Sequence, residues 1–374
     1  MLPTVNTSRL ERWLGAEEIE RLRGAMKGWY GPPIALMDTP GSVRITKDGD
    51  FIGPFERGYF YSAKDAIGDH VKRLMRGLSQ PWPASAYAGF ASISDALARA
   101  SGGFQQNLNG QFAKAGPTGV VAVTSSLWRL GTMPIAGGAP GAAPGGTAET
   151  KATTGALAFN NPAAGSLRLI GADAAATVAG NTLLLYDRIF AVVKTMASTA
   201  TEAVTGVPTR YQSSVATDDN YAGGNFLTIQ VGGTALAATA HNWTVCLYRD
   251  EAGNDNQTLP SVTGNSGAIV DRLDQPASTW FCPLASGDSG IMDLAQMQCS
   301  ASVATGVIWF VIGHPIGFMS FPVINSMLPF DWLTNRQLAP RIFADACLTF
   351  LEITKPATTA TGYHGMIYAV STAS

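Results

Sequence analysis

The sequence predicts a mainly β protein: an antiparallel β-sandwich or jelly-roll-like region over residues 166–374, preceded by a helix-containing α+β region at 1–101 and a long extended arm or linker at 102–165. Three observations predict it. Beyond Gly165, short β-type runs recur with Gly, Asn and Asp between them, the spacing of an antiparallel fold. No helical crossover separates these runs, which disfavours a parallel α/β arrangement. Charge also thins out: 13 basic and 11 acidic residues stand in 1–100, against 28 charged residues in the remaining 274.

The elements follow in order. Ser8 and Glu11 have capping-box spacing, and Leu10, Trp13, Leu14, Ile19, Leu22 and Met26 recur at helical intervals with Gly15 as a break. Gly28 to Pro33 stops these helices, and Ser42 to Ile52 predicts a hairpin around Asp48-Gly49. Further helices are expected over Ala63 to Leu78, with Ile67, Val71, Leu74 and Met75 on one face, and over Ile93 to Ala100. The stretch 102–165 carries GGAPGAAPGGTAETKATTG at its centre. So little apolar side chain predicts either a flexible linker or an arm that orders only when draped over a neighbour. Strands are then expected in SLRLI, NTLLLYDRIFAVV, FLTIQV, NWTVCLYR, TWFCPL, MQCSASV and GVIWFVIG. A short helix near Leu333 to Ala346, a strand over Leu348 to Ile353 and a last strand over Tyr363 to Val370 complete the chain.

Composition narrows the function. At 374 residues the chain can bury a sizeable core, yet only 14% of it is charged and Gly alone supplies 41 residues, so its surface must be small and neutral. Such a surface suits packing against other protein. Net charge is −2 with no basic block, which argues against direct binding of nucleic acid or anionic membrane. Cys246, Cys282, Cys299 and Cys347 are widely spaced without C-x-x-C, so they read as buried thiols rather than zinc or redox sites. MLPTVNTSRLERWLG lacks an apolar core of signal-peptide length, and no apolar run reaches 18 residues; a soluble protein made in the cytoplasm is expected.

Gly287-Asp288-Ser289-Gly290 copies the core of a chymotrypsin-like nucleophile motif, and His241 with Asp250, Asp255 or Asp271 could complete a triad. Against this, Ile291 replaces the third glycine, and 48 residues between His241 and Ser289 are too few for a two-barrel fold. No phosphate-binding loop occurs. His70, His241, His314 and His364 stand singly, and the carboxylates Glu17-Glu18 and Asp48/Asp50 read as solvated surface. The cluster Asp250, Glu251, Asn254, Asp255, Asn256 fails calcium-loop spacing, because the third residue is Ala252, the glycine is fourth and the twelfth is Ser261. Trp243, Val245 and Leu247 alternate with Thr244, Cys246 and Tyr248, so the cluster reads as a hairpin tip. No catalytic, cofactor or metal residue is therefore expected.

The segments NTLLLYDRIFAVV, TVCLYRDEAGNDNQTLPSVTG and ASGDSGIMDLAQMQCSASVATGVIWFVIGHPI resemble virion structural proteins of tailed bacteriophages. The likeness rests on a "YxxxAGN" hairpin, a "SGDSGI" turn and a Gly/Thr/Ala-rich strand pair, and covers Gly165 to Ile316; residues 1–100 bring no matching motif. It implies a non-enzymatic capsid component without cofactor, found in the virion and partnered with itself, as a homo-oligomer such as a trimer, and with other capsid proteins. Cement or decoration protein is the first expectation and major capsid protein the alternative. A carbohydrate-binding tail module is the contrasting one, and would need exposed aromatics such as Trp280 and Trp309 beside a carboxylate pair. On the assembly reading, the 102–165 arm and N-terminal helices bury surface against neighbouring subunits.

Overall fold

The apolar run of NTLLLYDRIFAVV does not alternate, which is what a strand covered on both faces requires. In the computed structural model it is the central strand of the protein. The structure describes residues 110–372 except 119–120, 122, 163, 213–223, 277–278, 333–339 and 355–358, together with 34–35, 44–45, 51–52 and 98–99.

The chain divides into two compact units, Met1–Trp82 and Pro83–Ser374. In the first, β1 (Ile34–Ala35), β2 (Arg44–Ile45) and β3 (Phe51–Ile52) form a small antiparallel sheet, with Arg44 opposite Ile52 across the expected Asp48-Gly49 reversal. The second unit begins with β4 (Gly110–Ala115), β5 (Ser125–Ser126), β6 (Thr147–Ala148), β7 (Leu167–Ala176), β8 (Asn181–Thr195), β9 (Glu202–Ala203) and β10 (Phe226–Val231). It continues with β11 (Asn242–Asp250), β12 (Gln257–Thr258), β13 (Val262–Thr263), β14 (Ile291–Cys299) and β15 (Val307–Phe321). It ends with β16 (Leu328–Asp331), β17 (Arg341–Ile342), β18 (Leu348–Thr354) and β19 (Gly362–Ser371).

These strands build three antiparallel sheets. The central one runs β10-β15-β8-β18-β5, with β6 also on β8. Its two edges meet through Asp271–Asp274. Ser126 N donates to Asp271 O (2.7 Å) and Leu273 N to Thr124 O (3.1 Å) on one side. Val231 N donates to Arg272 O (2.8 Å) and Asp274 N to Ile229 O (2.6 Å) on the other. Pairing on both sides closes the sheet into a barrel and covers part of each edge against a foreign strand.

Two further sheets, β12-β11-β14-β9 with β13 and β16-β7-β19-β4 with β17, pack on the outside of the barrel. Both fit because β8 and β15 are 15 residues long, about 50 Å each. One half meets the first sheet, where Trp243 packs edge-on to Phe310 with ring centroids 4.9 Å apart. The other half meets the second, through Phe112 on Phe350 (4.6 Å) and Phe321 on Tyr363 (5.6 Å). Between the halves the β8/β15 register slips twice, at Ile312/Gly313 and Pro315/Gly317. The second slip is the bulge that lets Pro315 stand inside a strand without a ladder hydrogen bond.

Several expectations are corrected here. TWFCPL is not a strand: among its described residues Cys282 N donates to Leu227 O (2.8 Å), and the segment caps β10, with Pro276 and Pro283 barring a continuous ladder. The strand expected in MQCSASV begins earlier, at Ile291, and ends at Cys299. No helix covers the described end of 333–346: Arg341–Ile342 is β17, paired to β7, and Pro340 before it disfavours helical backbone. The 110–165 stretch is no free linker, because β5 and β6 pair with β18 and β8 of the same chain and Leu127, Trp128, Leu157 and Phe159 are buried. The helices expected over 8–26 and 63–78 lie outside the described residues, as does 93–100 save Ala98 and Arg99. The mainly β architecture expected for this region is what the described residues show, in three antiparallel sheets.

Candidate functional site

Asp187 and Arg188, adjacent in an apolar run, sit at the first bulge of β8 and point to different neighbours. Arg188 is fully buried in the barrel. Its guanidinium stacks over Trp128 at 4.7 Å and faces Trp309 at 5.8 Å, while it donates to Gln230 Oε1 (3.2 Å) and Glu149 Oε1 (3.4 Å). Asp187, also fully buried, is gripped in bidentate fashion by Arg210, Nε to Oδ2 at 3.0 Å and Nη2 to Oδ1 at 3.1 Å, and accepts Cys347 N at 2.8 Å. Arg210 also donates to Glu149 O (2.8 Å) and Asp345 Oδ2 (3.0 Å). The arm's Glu149 is thus tied to both arginines, which is why this segment lies on the barrel. Chemically the cluster neutralises buried charge, with the Tyr211 side chain also hydrogen-bonded to Asp187.

The cluster Asp250 to Asn256 is the tip of a hairpin, as its flanks predicted: Tyr248 stands opposite Gln257 and Trp243 opposite Val262. Asp250 shapes the reversal, its two carboxylate oxygens accepting Asn254 N (2.7 Å) and Asn254 Nδ2 (2.8 Å). Gly253 takes φ +89°, a conformation most side chains avoid. The tip's partner is the other motif that carried the resemblance. Glu251 Oε2 accepts the backbone N–H of Ser289 (3.1 Å) and Gly290 (3.3 Å), and the Tyr248 hydroxyl donates to Asp288 while accepting Ala285 N (2.9 Å). Burial and the Asp288 bond push the Tyr248 phenol up to about 12. "YxxxAGN" and "SGDSGI" are two halves of one clasp.

This geometry disposes of the hydrolase constellation. The Ser289 amide, which an oxyanion hole would need, is already bound to Glu251. His241 is buried elsewhere, with Nε2 2.8 Å from Asp274 Oδ2 and Nδ1 2.9 Å from Thr239 O, so both ring nitrogens face acceptors and neither faces a serine. Burial alone would lower its pKa; the Asp274 bond and the Thr239 carbonyl carry it above the ordinary value. Asp274 also accepts Trp243 Nε1 (3.0 Å) and Asn265 N (2.6 Å), fastening the barrel closure to β11. None of the three aspartates proposed as triad members is this partner. Asp250 serves the tip, Asp255 is an exposed partner of Arg249 (3.6 Å), and burial raises the Asp271 carboxyl to about 6 against the charge of Arg129. Sequence reasoning missed Asp274; its only local signal was a carboxylate in the run IVDRLDQP.

The remaining candidates are spread through the fold. All four cysteines are buried free thiols, and burial raises each of them, Cys246 to about 12. His314 stacks flat on Tyr211 with ring centroids 3.7 Å apart and its Nδ1 2.9 Å from Asn225 Oδ1. Trp309 is buried, and Trp280 is boxed by Phe226, Phe281 and Phe318, so the two tryptophans do not form an exposed aromatic platform. His364 is exposed at a shallow depression near Lys114, whose Nζ turns inward to Leu130 O (2.9 Å) and Pro134 O (3.0 Å) and which burial lowers to about 8. His70 and the carboxylates at 17–18, 48 and 50 lie outside the described residues. Among the described residues no group of three His, Cys, Asp or Glu is placed to hold a metal ion, and no helix is long and apolar enough to cross a membrane.

The described architecture of the second unit is three antiparallel sheets, the central one closed on itself through Asp271–Asp274. No protein-family model, curated protein or solved structure matches the chain.

The clasp yields a direct expectation. Glu251→Ala removes a charged acceptor from two amides and should cost about 1–2 kcal/mol in chemical denaturation. Hydrogen exchange at Ser289 and Gly290 should accelerate with it. Asp255→Ala, at an exposed side chain, should stay within about 0.5 kcal/mol of wild type.

Proposed function

We propose that this chain is a structural protein of a bacteriophage virion, a cement or decoration protein that binds the head shell and stabilises it through subunit-subunit contacts. One observation carries the reading: the protein buries many of its few charges yet leaves a set of large apolar side chains exposed. Glu149, Asp187, Arg188, Lys194, Arg210, Asp274 and Glu352 are buried, in a chain only 14% charged, while Val121, Met133, Ile135, Val323, Ile324 and Met327 stand exposed. A solitary soluble protein gains nothing from that arrangement, whereas a subunit covered by its neighbours does. The resemblance of Gly165 to Ile316 to virion structural proteins points the same way, and the clasp gives those motifs a structural rather than a catalytic purpose.

The test is co-sedimentation of the purified full-length chain with phage heads that lack it. Saturable binding and raised heat resistance of the heads are expected. Closed shells formed by the chain alone would transfer the assignment to the major capsid protein; no binding and no assembly would end the reading.

A further inference from the structure

Exposed apolar side chains are not scattered evenly over this protein. Of the eight large apolar residues well exposed among the described residues, six lie on loops at one end of the β16-β7-β19-β4 sheet. They are Val121, Met133, Ile135, Val323, Ile324 and Met327, with Ile135 63% and Ile324 57% exposed. Four backbone hydrogen bonds define that end: Ala113 N to Met133 O (2.7 Å), Gly116 N to Thr361 O (2.7 Å), Thr177 N to Gly362 O (2.9 Å) and Asn325 N to Ala176 O (2.8 Å). The chain brings little charge there: 115–128, 130–148, 174–186 and 315–330 contain no Asp, Glu, Lys or Arg, and the neighbouring Lys114 is buried with its Nζ turned inward to Leu130 O and Pro134 O.

The end has relief as well as apolarity. The loop 322–327 is exposed throughout and held in shape by Pro322 and by Asn325 at φ 51°. On the same end lies a depression of about 290 Å³ whose walls are mostly small residues, Ala113, Ala115, Gly131, Thr132, Thr177 and Gly362, completed by Lys114, Tyr363 and His364. It has room for an aliphatic side chain.

What covers such a face follows from its chemistry. Lys114 and Tyr363 are both buried there, so the face presents neither the cluster of exposed Lys or Arg that anionic lipid headgroups require nor an exposed Trp or Tyr to seat a loop at a membrane interface. Roughly half of six large side chains is on the order of 500 Å², near the upper limit of what a monomer leaves bare and most of the roughly 800 Å² per partner in a standard interface. Projection and depression sit on one face, as a closed symmetric contact requires, because each copy must offer both halves. We propose that this end is a contact between copies of this chain, the Pro322–Met327 loop of one seated in the depression of the next. The proposal deepens the assembly reading by naming the self-contact, and it rests on that reading for its biological setting.

Sedimentation equilibrium of the full-length protein over a wide concentration range tests it, with Ile324→Asp, the milder Ile324→Ser, and Phe281→Asp as an exposed apolar control elsewhere. Wild type and Phe281→Asp should associate alike, Ile324→Asp at least 10-fold more weakly and Ile324→Ser in between, with melting temperatures unchanged. A monomeric wild type, undiminished association of both Ile324 variants, or equal loss in the Phe281 variant would each overturn the proposal. Head binding without self-association would sink this contact alone, and self-association without head binding would sink the virion reading alone.

Discussion

Arg210→Ala should cost about 3–5 kcal/mol of stability in chemical denaturation, the expense of stranding a buried charge. Arg210 holds Asp187 by two hydrogen bonds of 3.0 and 3.1 Å, and the Asp187 side chain is 0% exposed. Burial already pushes the Asp187 carboxyl above its usual range, and Arg210 is the first influence opposing it. Without the guanidinium, Asp187 must take up a proton or draw water into the barrel wall, and Glu149 O loses a donor too. Arg210→Lys should recover part of the loss, because an ammonium is a point charge that cannot reproduce the planar fork. The combined change Arg210→Met with Asp187→Asn should cost less than Arg210→Ala alone, since Asn keeps an acceptor for Cys347 N and no charge is left unpaired. A double variant worse than the sum of its singles would contradict this account of the cluster.

The second large effect is acid lability from His314. Burial lowers its pKa to about 3, so the folded protein keeps the ring neutral while the unfolded chain protonates it near 6.5. Below about pH 6.5 the unfolded state therefore binds more protons, and stability falls by about 1.4 kcal/mol per pH unit until about pH 3. At pH 5 the accumulated loss is about 2 kcal/mol. His314→Phe keeps a ring against Tyr211 but cannot titrate, so its difference from wild type should shrink as pH falls from 7 to 5. His241 runs the other way. Its folded pKa is raised, so its contribution is fully present below the unfolded value and is lost as pH rises through the folded one. A wild-type difference from His314→Phe that stays constant between pH 7 and 5 would mean that His314 titrates normally.

How much of this was legible in the sequence differs by element. The long strands were, because β8, β10, β11 and β15 carry runs of Leu, Ile, Val and aromatics that have no better place than a sheet. The hairpin tip was readable for the same reason: alternation of Trp243 to Tyr248 sets the strand, and Gly253 and Asn254 set the reversal. Barrel closure was not, since Asp271–Asp274 pairs with residues about 40 positions before it on one side and nearly 150 on the other, and nothing local records a register at that range. The arm was misjudged because its Gly, Pro and Ala count hid its anchors. Trp128, Leu157 and Phe159 bracket the tract, Glu149 lies within it, and all four fix it to the barrel. One signal was present and passed over: Asp187-Arg188 in the middle of LLLYDRIFAVV. Two charges in a strand covered on both faces must be paired, yet which residues pair them, Arg210 and Glu149, only the folded chain reveals. The serine motif misled in the opposite sense, because a turn sequence alone does not say that its amides are already taken by Glu251.

The central claim, that this protein turns its charge inward because other subunits cover its outside, is tested most directly by the composition of particles. Quantitative mass spectrometry of purified virions whose genome encodes this chain should find it in tens to hundreds of copies, in a fixed ratio to the shell protein. Its absence from those virions, with the full-length chain accumulating free in the lysate, would contradict the account.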